Sequence, residues 1–297
     1  MFELHQLRCF LAVGEELHFG RAALRLHMTQ PPLSRQIQLL EHEIGVRLFD
    51  RTSRSVRLTP AGRALLPEAA RLLRLAAAAA ADARRVAAGE AGTLTLGFTG
   101  GAGYELLPRL VALLSAELPG IDLVLRELRT ADQMEALAAG RLDAGLLRLP
   151  IDRTGLDLLC IARDRLLLAA PAAHPVARRR KPPTPQDLDG APTIMFASAE
   201  NRFLADLVAG LFRLAAVEPR IVQHVNQIHT ALGLVSAGIG LAVVPESARF
   251  LAMRGVRLRP FDPEPPLRAD LHFVWRRTNA NPALATLRTR ILPQLLP

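Results

Sequence analysis

Apolar residues recur at helical spacing three times before residue 50, and this recurrence predicts three short helices. The three apolar stripes are Leu4, Leu7 and Leu11; Phe19, Ala22, Ala23 and Leu26; and Leu33, Ile37, Leu40 and Ile44. A short second helix, a tight turn and a longer third helix are typical of a helix–turn–helix motif. The pattern therefore predicts a small helical head in which each helix buries one face.

Two adjacent prolines, Pro31 and Pro32, stand at the start of the third helix. A helix tolerates them there because its first four N–H groups have no acceptor within the helix. Thr29 is a capping residue by type, but the N–H groups that its side chain would bind belong to these prolines. The start of the helix is therefore left open between Thr29 and Gln30.

The polar face of this third helix carries Ser34 and Arg35, with Gln30 at its N-terminal end. A helix that presents its positive end and an arginine suits a groove lined by phosphates. A solvated amphipathic helix in any small bundle would show the same pattern. The helix alone does not decide between the two interpretations.

The segment "FDRTSRSVRLTPAG" alternates apolar and polar residues around Val56 and Leu58, which predicts a small β-wing. Arg51, Arg54 and Arg57 make this wing basic. Beside a helix–turn–helix motif, a basic wing favours a contact with the DNA backbone or minor groove. The alternative is a solvated, charged turn.

A long helix is predicted from Thr59 to about Ala88, where "GEAG" ends it. Leucines within it form an apolar seam, namely Leu65, Leu66, Leu72 and Leu73, with Val86 further along. At about 1.5 Å per residue the helix is about 45 Å long, more than a small head needs as a cover. We expect a dimerisation helix, with a passive spacer as the alternative.

The pattern changes after Gly92 to short apolar runs separated by helical segments. The runs are "TLTLGF", "IDLVLREL", "DAGLL", "RLLLAA", "IVQHV", "GLAVV" and "LHFVW". Strands that alternate with helices predict an open α/β sheet. The chain of 297 residues is long enough for this second domain to have its own core.

The charge balance favours a polyanionic partner, since the net charge is +9 at pH 7 and the sequence pI is about 11.1. Lys181 is the single lysine, so nearly all of the positive charge is arginine. Arginine makes forked contacts to guanine and phosphate. No charged leader followed by an apolar segment opens the chain, and no apolar run is long enough to span a membrane, which predicts a soluble cytoplasmic protein.

Motifs for catalysis, metals and cofactors are missing from the sequence. "GFTGGAG" lacks the third glycine of a dinucleotide-binding loop, and no G-x-S-x-G nucleophile motif occurs. The eight histidines include no H-E-x-x-H pair, and Cys9 and Cys160 fit neither a disulfide framework nor a zinc spacing. We therefore expect no catalytic residues, no metal site and no cofactor, with both thiols buried.

The segment "LRCFLAVGEELHFGRAALRLHMTQPPLSRQIQLLEHEIGVRLFDRTSRSVRLTPAG" resembles the N-terminal domain of LysR-type transcriptional regulators. The resemblance continues through "LLPRL", "GRLDAGLL", "AAHPVA" and "LVSAGIGLAVVPES", so it covers essentially the whole chain. "GFTGGAGYELLPRL" and "LRELRTADQMEAL" are similar to the branch that senses muconate-type acids in aromatic-compound degradation.

The resemblance implies a winged helix–turn–helix domain over residues 1–58, a linker and dimerisation helix over 59–90, and a two-lobed α/β effector-binding domain over 91–297, similar to periplasmic binding proteins. Lobe I would comprise residues 91–162 and 267–297, and lobe II residues 163–266. It also implies a transcriptional activator that forms dimers and tetramers. Its partners would be an operator in double-stranded DNA, a small organic acid that is aromatic or muconate-like, and RNA polymerase.

Site residues follow from the resemblance position by position. The DNA-contacting positions fall on Gln30, Pro31, Ser34, Arg35 and Arg54. The effector-contacting positions fall on Thr99, Gly100, Gly101, Thr130, Arg148, Phe196 and Ser198. The chain departs from the muconate-type branch in two places, since Gly101 stands where that branch usually has a serine and Arg129 stands where it has a small residue. Arg148 either binds a carboxylate or lies on the surface.

Two classes of function fit the sequence. The first is a DNA-binding regulator that responds to a small ligand. The second is a solute-binding or enzymatic α/β domain whose head only mediates oligomerisation. The arginines of the wing and of the third helix favour the first class, because the second gives them no role.

Overall fold

The computed structural model of the chain describes residues 1–51, 55–197, 202–261, 263 and 266–296. The chain divides into two compact units, Met1–Arg85 and Val86–Pro297. The helices are α1 Leu4–Glu16, α2 Phe19–Arg25, α3 Gln30–Ile44, α4 Pro60–Ala87, α5 Leu106–Glu117, α6 Thr130–Ala138, α7 Pro175–Arg178, α8 Arg202–Leu214, α9 Ile228–Ser236 and α10 Pro282–Thr286. The strands are β1 Phe49–Arg51, β2 Val56–Leu58, β3 Ala91–Phe98, β4 Gly120–Glu127, β5 Ala144–Arg148, β6 Leu156–Ala162, β7 Leu166–Pro171, β8 Pro192–Phe196, β9 Arg220–Val225, β10 Ala242–Pro245, β11 Val256–Pro260 and β12 Leu271–Arg276.

The first unit is a three-helix head with a two-stranded antiparallel wing, β1 and β2. The stripes predicted from the sequence meet in one core, in which Phe10 and Phe19 pack against Phe49 with ring centroids 5.4 and 6.0 Å apart. Gly45 ends α3 with φ +79°, a left-handed conformation that glycine adopts without strain. The winged helix–turn–helix architecture is thus confirmed.

Helix α4 has 28 residues, which is about 42 Å at 1.5 Å per residue. Its first half packs on the head, where Leu65, Leu66, Leu72 and Leu73 are partly buried against the core. Residues 77–88 are exposed throughout. The predicted apolar seam is therefore largely used within the head, and the second half of the helix is left without cover in this chain.

The second unit contains two lobes, each built on a sheet. In lobe I the strand order is β4-β3-β5-β12-β6, with β12 antiparallel to both of its neighbours. Helices α5 and α10 cover one face of this sheet and α6 covers the other. Because strand β5 is covered on both faces, all five of its residues are buried.

Lobe II combines the antiparallel strands β10-β7-β11 with the parallel pair β8-β9. A bridge between Thr193 and Leu241 joins these two groups of strands around one apolar core. The chain passes from lobe I to lobe II between Ala162 and Leu166 and returns between Pro260 and Leu271. The two passages lie side by side, since Arg165 and Arg268 form an antiparallel bridge.

Candidate functional site

The start of α3 is defined by its backbone. Thr29 is the capping residue, with an extended conformation, but its side chain makes no capping hydrogen bond. The reason is that Pro31 and Pro32 occupy the positions whose N–H groups a cap would bind. The first helical residue is Gln30, so the N-terminal turn has few N–H donors of its own and depends on side chains for polar contacts.

The predicted DNA-contacting residues of α3 lie on one outward face. Gln30, Pro31 and Arg35 are exposed and Ser34 is partly buried, whereas the opposite stripe of Leu33, Ile37 and Leu40 is 0% exposed. None of the ion pairs of the described residues involves Arg35. The guanidinium of Arg35 is therefore available to an external acceptor.

The N-terminal ends of α2 and α3 lie next to each other. His18 caps α2 by accepting a hydrogen bond from the backbone N–H of Arg21 on Nδ1, at 3.2 Å. A Cβ atom at Gly20 would lie 3.0 Å from the His18 ring and 3.9 Å from Oε1 of Gln30. Gly20 thus permits this close approach, which places two positive helix ends side by side.

The base of the wing is tied to α3 by Glu41. One carboxylate oxygen accepts hydrogen bonds from the N–H groups of Leu48 and Phe49 at 2.8 and 3.1 Å, and the other pairs with Arg51 at 2.8 Å. The Arg51 guanidinium also lies 4.9 Å from the ring centroid of Phe19. Arg51 is thus held within the head, while Arg57 is exposed. Arg54 lies outside the described residues.

A cleft of about 1420 Å³ lies between the two lobes of the second unit. Lobe I lines it with residues at the carboxyl ends of β3, β4 and β5, and lobe II with residues at the starts of α8 and α9. Helix α6 also begins at the cleft, with Thr130. Three helices of nine or more residues therefore point their N-terminal ends towards it, which favours an anionic ligand.

Thr99, Gly100, Gly101 and Thr130 all line this cleft. The N–H group of Thr99 donates to the carbonyl of Leu146 at 3.3 Å, which fixes the loop after β3 against the end of β5. A Cβ atom at Gly101 would lie 3.6 Å from Nη2 of Arg148. This is an ordinary van der Waals distance, so Gly101 lies directly beside the guanidinium and a small side chain would fit there.

Arg148 ends the buried strand β5 and is only 6% exposed, so the surface alternative is wrong. Its Nη2 lies 3.0 Å from Oδ2 of Asp164, whose carboxylate also accepts hydrogen bonds from the Ser247 hydroxyl and N–H. Nη1 is buried without a hydrogen-bond partner among the described residues. Burial lowers the pKa of Arg148, and the charge of Asp164 opposes that shift.

Two other predicted effector residues are not part of the described lining of the cleft. Phe196, predicted as an effector contact, is at the end of β8, is 2% exposed and packs in the core of lobe II, so its side chain does not line the described cleft. The last four residues of β8 are all buried, which the sequence segment alone did not reveal. Ser198 lies outside the described residues.

Several cleft residues were not anticipated from the sequence. They are Glu127, Leu128, Met134, Leu149, Pro150, Ile151, Phe203, Leu207, Gln227 and Ile228. Most follow from one rule, that ligands bind outside the carboxyl ends of the strands of an open α/β sheet. Arg129 lines the cleft as well, but it also pairs with Asp132 in the first turn of α6 at 2.9 Å.

Metal binding, thiol chemistry and membrane insertion were the other properties considered from the sequence. No group of three or more His, Cys, Asp or Glu side chains in the described ranges is placed to hold a metal ion. Cys9 is buried and Cys160 is half-buried, and burial raises the pKa of both thiols, which makes them poor nucleophiles. Among the helices described, none has the length and apolarity needed to cross a membrane.

Comparison with known proteins matches both parts of the chain to one family. Residues 4–63 match the family "Bacterial regulatory helix-turn-helix protein, lysR family", and residues 87–295 match "LysR substrate binding domain". The chain is 38% identical over 295 residues to the uncharacterized HTH-type transcriptional regulator YnfL of Escherichia coli, which covers 99% of both proteins. It is 38% identical over 247 residues to the probable cat1 operon transcriptional activator of Acinetobacter lwoffii, covering 83% of this chain and 82% of that protein.

A solved structure agrees with these matches. The structure of CbnR in complex with its target DNA is similar with a TM-score of 0.86 and 31% identity, and the match covers 99% of this chain and 100% of CbnR. The head, the long helix and the two-lobed domain thus recur together in a protein that binds DNA. The chain belongs to the LysR family of bacterial transcriptional regulators, and it is a DNA-binding regulator with a substrate-binding domain rather than an enzyme.

Proposed function

We propose that this regulator recognises its operator through α3 and adjusts that binding, or the activation of transcription, to a small organic acid held between the lobes. The observation that carries the proposal is Arg148, a buried guanidinium with an N–H group that has no partner in the described structure, on the wall of a cleft that three helix ends face. A buried donor without a partner raises the free energy of the protein, and an acid that accepts from it removes this cost.

The proposed DNA contacts are Gln30, Pro31, Ser34 and Arg35 in the major groove, with Arg54 on the backbone or in the minor groove. Their support is the outward face of α3 and the absence of an ion pair at Arg35 within the described residues. Arg35→Ala should weaken binding to the operator by about 1–3 kcal/mol. A gel-shift assay at two salt concentrations measures this loss, with Arg84→Ala on α4 as the control. Unchanged operator affinity for Arg35→Ala would contradict the assignment.

The proposed effector site comprises Thr99, Gly100, Gly101, Thr130 and Arg148, together with Ser198, whose structure is not described. Hydroxyls, backbone N–H groups and a guanidinium suit a carboxylate. The rest of the lining is largely apolar, with Leu128, Met134, Ile151, Phe203 and Leu207. A small acid with an apolar body, either aromatic or a ring-cleavage acid of the muconate type, fits such a lining.

The proposed organisation assigns residues 1–58 to DNA binding, 59–90 to a linker and dimerisation helix, and 91–297 to effector binding. The division of the chain at Arg85 and Val86 supports a boundary in the linker. We further propose a homodimer through α4, a homotetramer through the effector domains, and contact with RNA polymerase at the promoter. Because its target is operator DNA, we infer that the protein acts in the cytoplasm.

The response to the acid follows from closure of the two lobes around it. A ligand shifts such an equilibrium only by its preference for the closed state, and the usual coupling between two sites is about 1–3 kcal/mol. We therefore expect a modest change in operator affinity or in the spacing of the two heads.

Thr130→Val tests the effector site. The variant should weaken the binding of acids in calorimetric titration and leave the operator affinity of the free protein unchanged, because Thr130 lies in the cleft and outside the head. Aromatic acids and ring-cleavage dicarboxylates form the ligand panel, and footprinting with and without ligand reports the response. Thr289→Val, which removes an exposed hydroxyl near the C-terminus, is the control. If only neutral compounds bind, the proposal is wrong.

A further inference from the structure

One charged group of the cleft has no role in binding a simple acid. Glu127, the last residue of β4, lines the cleft, and it forms no ion pair or hydrogen bond with the described residues. Its partner is not supplied by the cleft's arginines. Arg129 pairs with Asp132 at 2.9 Å and Arg202 with Asp206 at 3.4 Å.

The adjacent glycines of the loop after β3 separate this negative group from the positive one. A Cβ atom at Gly100 would lie 2.9 Å from Oε1 of Glu127 and 3.1 Å from Oε1 of Gln227, whereas one at Gly101 would lie 3.6 Å from Nη2 of Arg148. Since adjacent Cα atoms are about 3.8 Å apart, the Glu127 carboxylate and the Arg148 guanidinium are at most about 13 Å from each other. A ligand of about six carbons can contact both.

Oxygen acceptors from both lobes surround Gly100. Glu127 belongs to lobe I, and Gln227 precedes α9 in lobe II without using its side chain to cap that helix. Tyr104, which follows the same loop, packs against the core of lobe II. Burial and, secondarily, the charge of Glu127 raise the pKa of Tyr104. The acceptors therefore lie where the two lobes meet, and a donor bound there would contact both.

Arg268 also lines the cleft, and it forms no ion pair with the described residues. It is on the chain passage that bridges to Arg165, and the N–H group of the next residue, Ala269, donates to the carbonyl of Asp164 at 2.7 Å. Asp164 is the partner of Arg148. Arg148 and Arg268 are thus both connected to the passages between the lobes, whereas Glu127 ends β4, which β3 separates from β5 in the sheet.

We propose that the effector carries an ammonium group as well as a carboxylate, with the carboxylate bound at Arg148 and the ammonium at Glu127 and Gln227. This inference rests on the proposed function and specifies the class of its ligand. A plain dicarboxylate would place its second negative charge near the unpaired Glu127, where the two charges repel each other. An ammonium donates up to three hydrogen bonds and matches a carboxylate and an amide oxygen.

Three acids with the same six-carbon chain test the proposal in calorimetric titrations of the full chain. They are 6-aminohexanoate, hexanoate and adipate, which end in an ammonium, a methyl and a second carboxylate. We expect 6-aminohexanoate to bind about tenfold more tightly than the other two. Glu127→Gln should reduce this preference to about twofold, and Glu127→Lys should shift it to adipate. Glu135→Gln, an exposed glutamate paired with Arg141, should retain the wild-type preference.

Glu127 is exposed, so its variants should fold, and thermal unfolding checks this. The inference is overturned if adipate or hexanoate binds as tightly as 6-aminohexanoate, if 6-aminohexanoate does not bind, or if its preference survives in Glu127→Gln. Binding of adipate or hexanoate that is lost in Arg148→Met would still support the proposed organic-acid site in those cases. If no acid of this set or of the wider panel binds, both proposals are wrong.

Discussion

The guanidinium of Arg148 has one nitrogen, Nη2, that is paired and another, Nη1, that has no hydrogen-bond partner among the described residues. Its pair with Asp164 lies at the end of β5, while Nη1 is the atom that we propose binds the acid. Arg148→Met should therefore abolish acid binding, and it should also lower the free energy of unfolding by about 3–5 kcal/mol because it leaves the buried Asp164 carboxylate without its cation. Calorimetric titration and denaturant unfolding measure the two effects.

A double variant separates these effects. Arg148→Met with Asp164→Asn removes both charges, so the stability should largely recover while acid binding stays lost. The assignment of Arg148 to the ligand fails if either variant binds acids as tightly as the wild type.

Gly145 makes room for a buried amide. Gln133 is 0% exposed, and its Nε2 donates to the carbonyls of Leu128 and Leu146 at 3.0 and 3.5 Å. Leu128 lies two residues before Thr130, and the carbonyl of Leu146 also accepts from the N–H group of Thr99. A Cβ atom at Gly145 would lie 2.6 Å from Oε1 of Gln133. Gly145→Ala should therefore reduce the free energy of unfolding by about 1–3 kcal/mol, measured in urea.

Gly233 provides the matched control. It lies inside α9, and a Cβ atom there would meet nothing within 4 Å. Gly233→Ala should stabilise the protein by about 0.5–1 kcal/mol because alanine favours the helix. If Gly145→Ala and Gly233→Ala changed the free energy of unfolding equally, the contact with Gln133 would not be the reason that position 145 requires glycine.

The resemblance of the sequence to LysR-type regulators led to Thr99 and Thr130, and both line the cleft. It did not predict the burial of Arg148 or the space at Gly145. Both depend on partners far along the chain, Asp164 in the first passage between the lobes and Gln133 on α6. The type of a single residue does not reveal which distant residue it will contact.

At the scale of elements, two arginines of the wing differ, since Arg51 pairs with Glu41 and Arg57 is exposed. Arg57→Ala should reduce the dependence of log K on log salt by about one unit, since this exposed arginine has no ion pair among the described residues. Arg51→Ala should instead destabilise the head by about 1 kcal/mol through the loss of its contacts with Glu41 and Phe19. Gel shifts over a salt series and urea unfolding distinguish the two. The reverse pattern would show that Arg51 is the DNA contact.

All seven apolar runs of the second domain are strands in the structure, but β6, β8 and β11 were not predicted. Arginines interrupt β11, and β8 has only five residues and begins with a proline. In β6 the apolar run "LLCIA" follows Asp157 and was not recognised as a strand. The strand order could not be predicted either. Strand β12 inserts between β5 and β6 from the far end of the chain, and such pairing leaves no local pattern.

At the scale of the whole molecule, the second half of helix α4 is exposed to solvent in a single chain. An Ala-rich helix exposed on all sides over residues 77–88 is marginal in water without a packing partner. Leu75 and Val86 are 56% and 44% exposed, whereas Leu72 and Leu73 are already in contact with the head. A second copy of the helix would cover the exposed leucine and valine, which is the physical reason to expect a dimer here.

Leu75→Asp tests this assembly without disturbing the head. The substitution should break the contact between α4 helices, because a buried carboxylate on a helix seam has no partner, so that tetramers fall to dimers held by the effector domains. Operator binding should weaken because the two heads are no longer held together for the two half-sites. Analytical ultracentrifugation measures the assembly and a gel shift measures the binding. Leu24→Asp, at a leucine of α2 that is 77% exposed, should leave the sedimentation unchanged. If Leu75→Asp sediments like the wild type, the contact between copies does not pass through this part of α4, and the seam must be sought elsewhere on the chain.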